Sequence, residues 1–112
     1  MHWLIVAMLM ALPSVARAQS EPDTDAGRLR TIYMAGYLSE RAAQCGIPRP
    51  DATRLFATAM DRAMGRLSSS RVDEAQTEAV RGERQARADR VKAGDDVCAP
   101  AILDLKKRAG DR

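Results

Sequence analysis

Residues 51–67, DATRLFATAMDRAMGRL, constrain this chain most, because their apolar members fall where one helix face needs them. Ala52, Leu55, Phe56, Ala59, Met60, Ala63, Met64 and Leu67 follow i, i+3, i+4, i+7 spacing, with Arg54, Thr58, Asp61, Arg62 and Gly65 opposite. The apolar arc spans roughly half the circumference, more than one neighbour covers, so at least two other segments should pack on it. The stretch therefore reads as the organising helix of a small all-α bundle of three or four helices. β-Branched alternation, which strands would need, is almost absent.

The start of the chain reads as an export signal. Residues 4–12 are an unbroken apolar run, and Ala16-Arg17-Ala18 precedes Gln19 as an A-x-A cleavage site. A nine-residue run is too short to cross a bilayer as a helix, which favours cleavage after Ala18 over an uncleaved anchor. No cysteine follows that site, so nothing suggests a lipoprotein. Residues 1–18 form the expected signal peptide, 19–25 a flexible lead-in and 26–112 one helical domain. Cleavage leaves 94 residues and removes His2 and Trp3, the sole histidine and tryptophan. The mature chain carries 17 basic and 15 acidic residues, so neither nucleic acid nor an anionic membrane surface is an expected partner. Arginine outnumbers lysine 15 to 3, the usage of a GC-rich bacterial genome.

Cys45 and Cys98 are the only cysteines, and export places them where disulfides persist. The spacing is not C-x-x-C, which sets a structural disulfide ahead of an intermolecular bridge or a redox pair.

The remaining helices follow from stop and start signals. Asp23 and Asp25 do not make an EF-hand loop, because Gly27 stands one place early, and Thr24 or Asp25 is the expected N-cap. Helix one should run over 26–45 with Leu29, Ile32, Tyr33, Gly36 and Tyr37 on one face, and stop at Gly46 and Pro48. Pro50 suits the first turn of the next helix. Ser70-x-x-Asp73 fits a capping box opening helix three over 71–92. Helix three carries only a narrow stripe of Val72, Ala75, Ala79, Gly82 and Ala86, which buries little area and marks the least firmly held element and the candidate partner-binding face. Asp95 or Asp96 should cap helix four, 97–109, which would contribute Ile102, Leu103 and Leu105 to the core.

A mature chain without imidazole cannot build Ser/His or Cys/His nucleophiles, and its cysteines are expected to be oxidised, so catalytic, cofactor-binding and metal-ligating residues are not assigned. Glu40 shares the helical angle of Leu29, Tyr33 and Gly36. It either lies at the core rim with its head in water or is a buried charge needing an arginine from another helix. Met34, Met60 and Met64 suit core packing, with Cu(I) ligation by thioethers the weaker reading. Tyr33 and Tyr37 should edge the core with hydroxyls in water, or else form a binding surface. Arg81, Arg84, Arg87 and Arg90 are spaced by three and spiral round the helix rather than lining a groove, so they read as a solvated face.

The expected function is that of an exported, non-enzymatic protein-binding module, a periplasmic adaptor, inhibitor or secretion accessory, acting as a monomer or weak homo-oligomer on another envelope protein. An acid- or envelope-stress periplasmic chaperone is the alternative. Protonation of the 15 carboxylates would raise the mature charge to about +17 and loosen the fold by self-repulsion.

Overall fold

A computed structural model describes residues 24–110. The expected signal peptide, residues 1–18, and residues 19–23 of the expected lead-in lie outside them. The described residues form four helices, α1 (Asp25–Gln44), α2 (Arg49–Met64), α3 (Val72–Ala88) and α4 (Cys98–Ala109), with a 3₁₀ turn over Ser69–Arg71 and no strand. Thr24, expected in the lead-in, is the α1 N-cap, its Oγ accepting the Gly27 N–H at 3.2 Å. Gly46 terminates α1 at φ 102°, the left-handed conformation expected of it. Pro50 sits in the first turn of α2.

Contacts along the helices give the course of the chain. Leu38 and Ala42 of α1 share a core cluster with Ala52 and Leu55 near the start of α2, while Leu29 and Ile32 meet Ala63 and Leu67 at its far end. α2 therefore returns antiparallel to α1. Asp25 lies beside Ser68 and Gln44 beside Ala86, so α3 runs parallel to α1. The Cys45–Cys98 disulfide starts α4 at the C-terminal end of α1, and the Arg62 guanidinium reaches the Arg108 carbonyl, which sets α4 parallel to α2. The result is an up-down-up-down bundle.

α1, not the 51–67 helix, is the organising element. It packs on all three other helices, most extensively on α3, whereas α2 packs chiefly on α1 and α4. Ala35, Leu38 and Ala42 face α2 and α4, while Gly36 meets α3. A helix covered on two sides has no clean polar face, so the sharper amphipathic pattern belonged to the more peripheral neighbour.

Among the described residues, ten of the seventeen buried apolar ones are alanines, so this core holds its helices by close approach more than by large side chains. The closest approach is between α1 and α3. A methyl built on Gly82 would collide with the Tyr33 carbonyl oxygen and lie 2.8 Å from the Tyr37 nitrogen, and one on Gly36 would strike the Ala79 carbonyl oxygen. The stripe of Ala75, Ala79, Gly82 and Ala86 is thus buried against α1, with Val72 partly exposed at its margin. It is not an open partner-binding face, because the chain's own first helix occupies it. Nor is α3 loosely placed, since small residues bring the two backbones into contact.

Several boundaries differ from expectation for local reasons. α3 opens from the 3₁₀ turn with no side-chain cap, so Ser70 and Asp73 form no capping box. α3 ends at Ala88, one turn early, and there Gln44 and Arg41 of α1 donate to the carbonyls of Ala86 and of the C-cap residue Asp89. Asp95 accepts the Lys92 N–H rather than capping α4, and α4 has no side-chain cap. Leu103 is 55% exposed and lies outside the core, where Ala101, Leu105 and Ala109 line the inward face of α4.

Candidate functional site

Two polar assemblies occupy opposite ends of the α1–α3 pair. At the C-terminal end, Glu40 is 6% exposed, which makes it the buried charge and not a rim carboxylate. Arg87 of α3 donates to its Oε1 at 3.0 Å and Arg49 of α2 to its Oε2 at 3.2 Å. Both oxygens are met by guanidinium groups that stay more than half exposed, so the buried carboxylate is paired without burying its partners.

Arg41, which sequence reasoning left unremarked, is equally buried. Its Nη2 donates to the Asp89 carbonyl at 3.2 Å and to the Tyr37 hydroxyl, and its guanidinium lies 4.9 Å from the Tyr37 ring centroid. Parallel α1 and α3 bring two C-termini together here, so the cation stands against the negative ends of two helix dipoles. Gln44 donates to the Ala86 carbonyl at 3.0 Å and accepts the Val91 N–H at 3.1 Å. With Cys45 bonded to Cys98 next door, this end is a structural lock. A spacing signal for Arg41 existed, since it stands one turn beyond Tyr37, but nothing in the sequence identified the α3 carbonyl.

At the other end lies an open groove of about 550 Å³ between α1 and α3. α1 contributes Ala26, Leu29, Arg30 and Tyr33, and the α3 side contributes Arg71, Glu74, Glu78 and Arg81. Leu29 is buried and forms the apolar floor. Both carboxylates are engaged by neighbours on their own segment. Arg71 meets Glu74 at 2.8 Å and 3.0 Å, and Arg81 Nη1 meets the two Glu78 oxygens at 2.8 and 2.6 Å. Arg81 also lies 5.9 Å from the Tyr33 ring centroid. Glu74 raises the already high pKa of Arg71, first through their hydrogen bond. Arg30 is exposed and makes no ion pair among the described residues. The arginine spiral thus does contribute to a groove through Arg81, because α1 supplies the opposite wall.

Above this groove, Asp25 joins α1 to the turn before α3 by accepting the Ser68 N–H at 3.3 Å, with Arg28 at 3.6 Å. Ser68, through its side chain and then its backbone, holds the Asp25 carboxyl below its ordinary 3.8, and Arg71 and Arg28 add to the effect.

The two tyrosines are separated in role, since Tyr33 lines the groove while the Tyr37 hydroxyl accepts from Arg41 and donates to Asp89 Oδ2 at 3.5 Å. Met34 packs on the α1–α2–α4 cluster and Met60 and Met64 on the α1–α2–α3 cluster, which places the thioethers in apolar packing. Among the described residues no cluster of three or more His, Cys, Asp or Glu side chains is placed to hold a metal ion, and no helix is long and apolar enough to cross a membrane. The disulfide fits an oxidising, extracytoplasmic location. Comparison with protein-family models, curated proteins and solved structures finds no match to this chain.

Proposed function

We propose that this protein is an exported, non-enzymatic binding module that engages another periplasmic or envelope protein through the α1–α3 groove. The observation that carries this reading is the groove itself, a recess with an apolar floor at Leu29 and an aromatic and charged rim at Tyr33, Arg30 and Arg81. Recesses of that composition suit a side chain or short segment of a partner, with the floor supplying affinity and the rim orientation. The lock at the opposite end gives the groove a rigid frame, which lowers the entropy lost on binding.

Affinity capture from the native envelope tests the reading, using the tagged protein and an Ala26→Trp variant. Ala26 is exposed on the groove wall, so the indole fills the recess without changing charge. One stoichiometric partner should be captured by the parent and lost by the variant. Equal capture by both would remove the groove from the account.

The acid-stress chaperone is a second reading, favoured by the Asp25–Ser68 contact, which weakens on protonation, and by a core built largely of alanine. It requires a sharp rise in apolar dye binding below about pH 3, and a protein that stays compact there is not such a chaperone.

A further inference from the structure

We propose that the segment received by the α1–α3 groove is acidic, setting a carboxylate on Arg30 while an apolar side chain rests on Leu29 beside the Tyr33 ring. The inference rests on the protein-binding reading above and names the chemistry of its partner. Of the five charged side chains lining the groove, four form two internal pairs, Arg71 with Glu74 and Arg81 with Glu78. The remaining one is Arg30, exposed and without an ion pair among the described residues. Among the described residues, the uncompensated charge of the groove is therefore one guanidinium.

That residue decides the sign of the partner. A carboxylate reaching Arg30 gains a charge-assisted contact, bidentate where the planar fork is met squarely, and breaks nothing. A basic segment would meet Arg30 with like charge and could reach Glu74 or Glu78 only by displacing an arginine already held at 2.8 or 2.6 Å. Nucleic acid fits less well than an acidic peptide. One cation unpaired among the described residues of the groove offers little counterion release, and two carboxylates line the same recess. Leu29 and Tyr33 give an apolar residue of the same peptide a place beside the charge, so the fitting segment alternates acidic and apolar residues on one helix face.

The test uses the exported, disulfide-bonded protein and a defined probe, a synthetic helix-forming peptide with glutamate and leucine on one face. Counterparts carry glutamine or lysine in place of glutamate. Amide NMR titration should move the signals of Ala26, Leu29, Arg30 and Tyr33, and the glutamine and lysine counterparts should bind at least about tenfold more weakly. Arg30→Gln should weaken the acidic peptide by about tenfold. Arg54→Gln, the same charge change on the exposed face of α2, should leave binding unaltered. Equal affinity for the three peptides, shifts elsewhere on the surface, or an unaffected Arg30→Gln variant would overturn the proposal, as would tighter binding of an oligothymidylate at the same residues. If the acidic peptide fails while Ala26→Trp still loses its native partner, the acidic class falls and the groove stands. If Ala26→Trp keeps that partner, the groove reading itself falls.

Discussion

At the scale of single residues, two glycines decide how α1 and α3 meet. In a helix interior glycine costs about 1 kcal/mol relative to alanine, so Gly36 and Gly82 look like weaknesses in isolation. Their lack of a Cβ lets each helix touch the backbone of the other. Gly82→Ala should therefore destabilise the protein by about 1–3 kcal/mol in urea unfolding, because the obstructing atoms are backbone and cannot rotate away. Gly65→Ala is the control, since a methyl there would meet its nearest neighbours at an ordinary 3.5 Å. If Gly82→Ala instead stabilised the protein, as helix propensity alone demands, the close crossing would be wrong. Glu40 makes the complementary point about charge. Its helical angle placed it inward, but only the arrival of Arg87 and Arg49 from other helices tells a buried ion pair from a rim carboxylate.

At the scale of elements, the ends of α3 are held by α1 and not by caps of its own. Gln44 and Arg41 donate to the carbonyls of Ala86 and of the C-cap Asp89, while Asp25 holds the turn that starts α3. The second contact is pH-dependent, and its sign follows from the lowered pKa of Asp25. Below the ordinary 3.8 the unfolded chain takes up a proton that the folded one still refuses, so this stabilisation is complete above 3.8 and is lost as pH falls through the lower folded value. Asp25→Asn should accordingly lower the melting temperature at pH 7 and make less difference near pH 3. An equal difference at both pH values would show that the carboxylate charge contributes nothing.

At the scale of the whole molecule, an alanine-rich core leaves the disulfide a large share of the stability. Cys45–Cys98 spans 53 positions, and the chain-entropy account gives about 4 kcal/mol for such a loop, comparable with the net stability of a domain this small. Reduction should shift the urea midpoint sharply downward and raise the slope, because the unbridged unfolded chain exposes more surface. A midpoint insensitive to reductant would mean that packing alone carries the fold.

Much of this architecture was legible in the sequence because local physics wrote it there. Helical periodicity, Gly46, Pro50 and a lone pair of cysteines pointed to an all-α bundle and its one disulfide before any packing was known. The hub was misread for a physical reason. A peripheral helix keeps one face in water and shows a sharp apolar contrast, whereas α1 is covered on opposite sides and does not. The candidate groove was not legible, since Arg30 and Tyr33 lie about 40 or more positions from Arg71, Glu74 and Arg81 and become walls of one recess only when α1 and α3 run parallel. By itself the sequence determined which segments are helical, where most of them begin and end within about a turn, and that the cysteines would pair. Only the tertiary structure decided that the small-residue stripe faces inward, that Glu40 and Arg41 are buried, and that Arg30 lines a groove without an ion pair among the described residues, because each depends on what another helix brings to it.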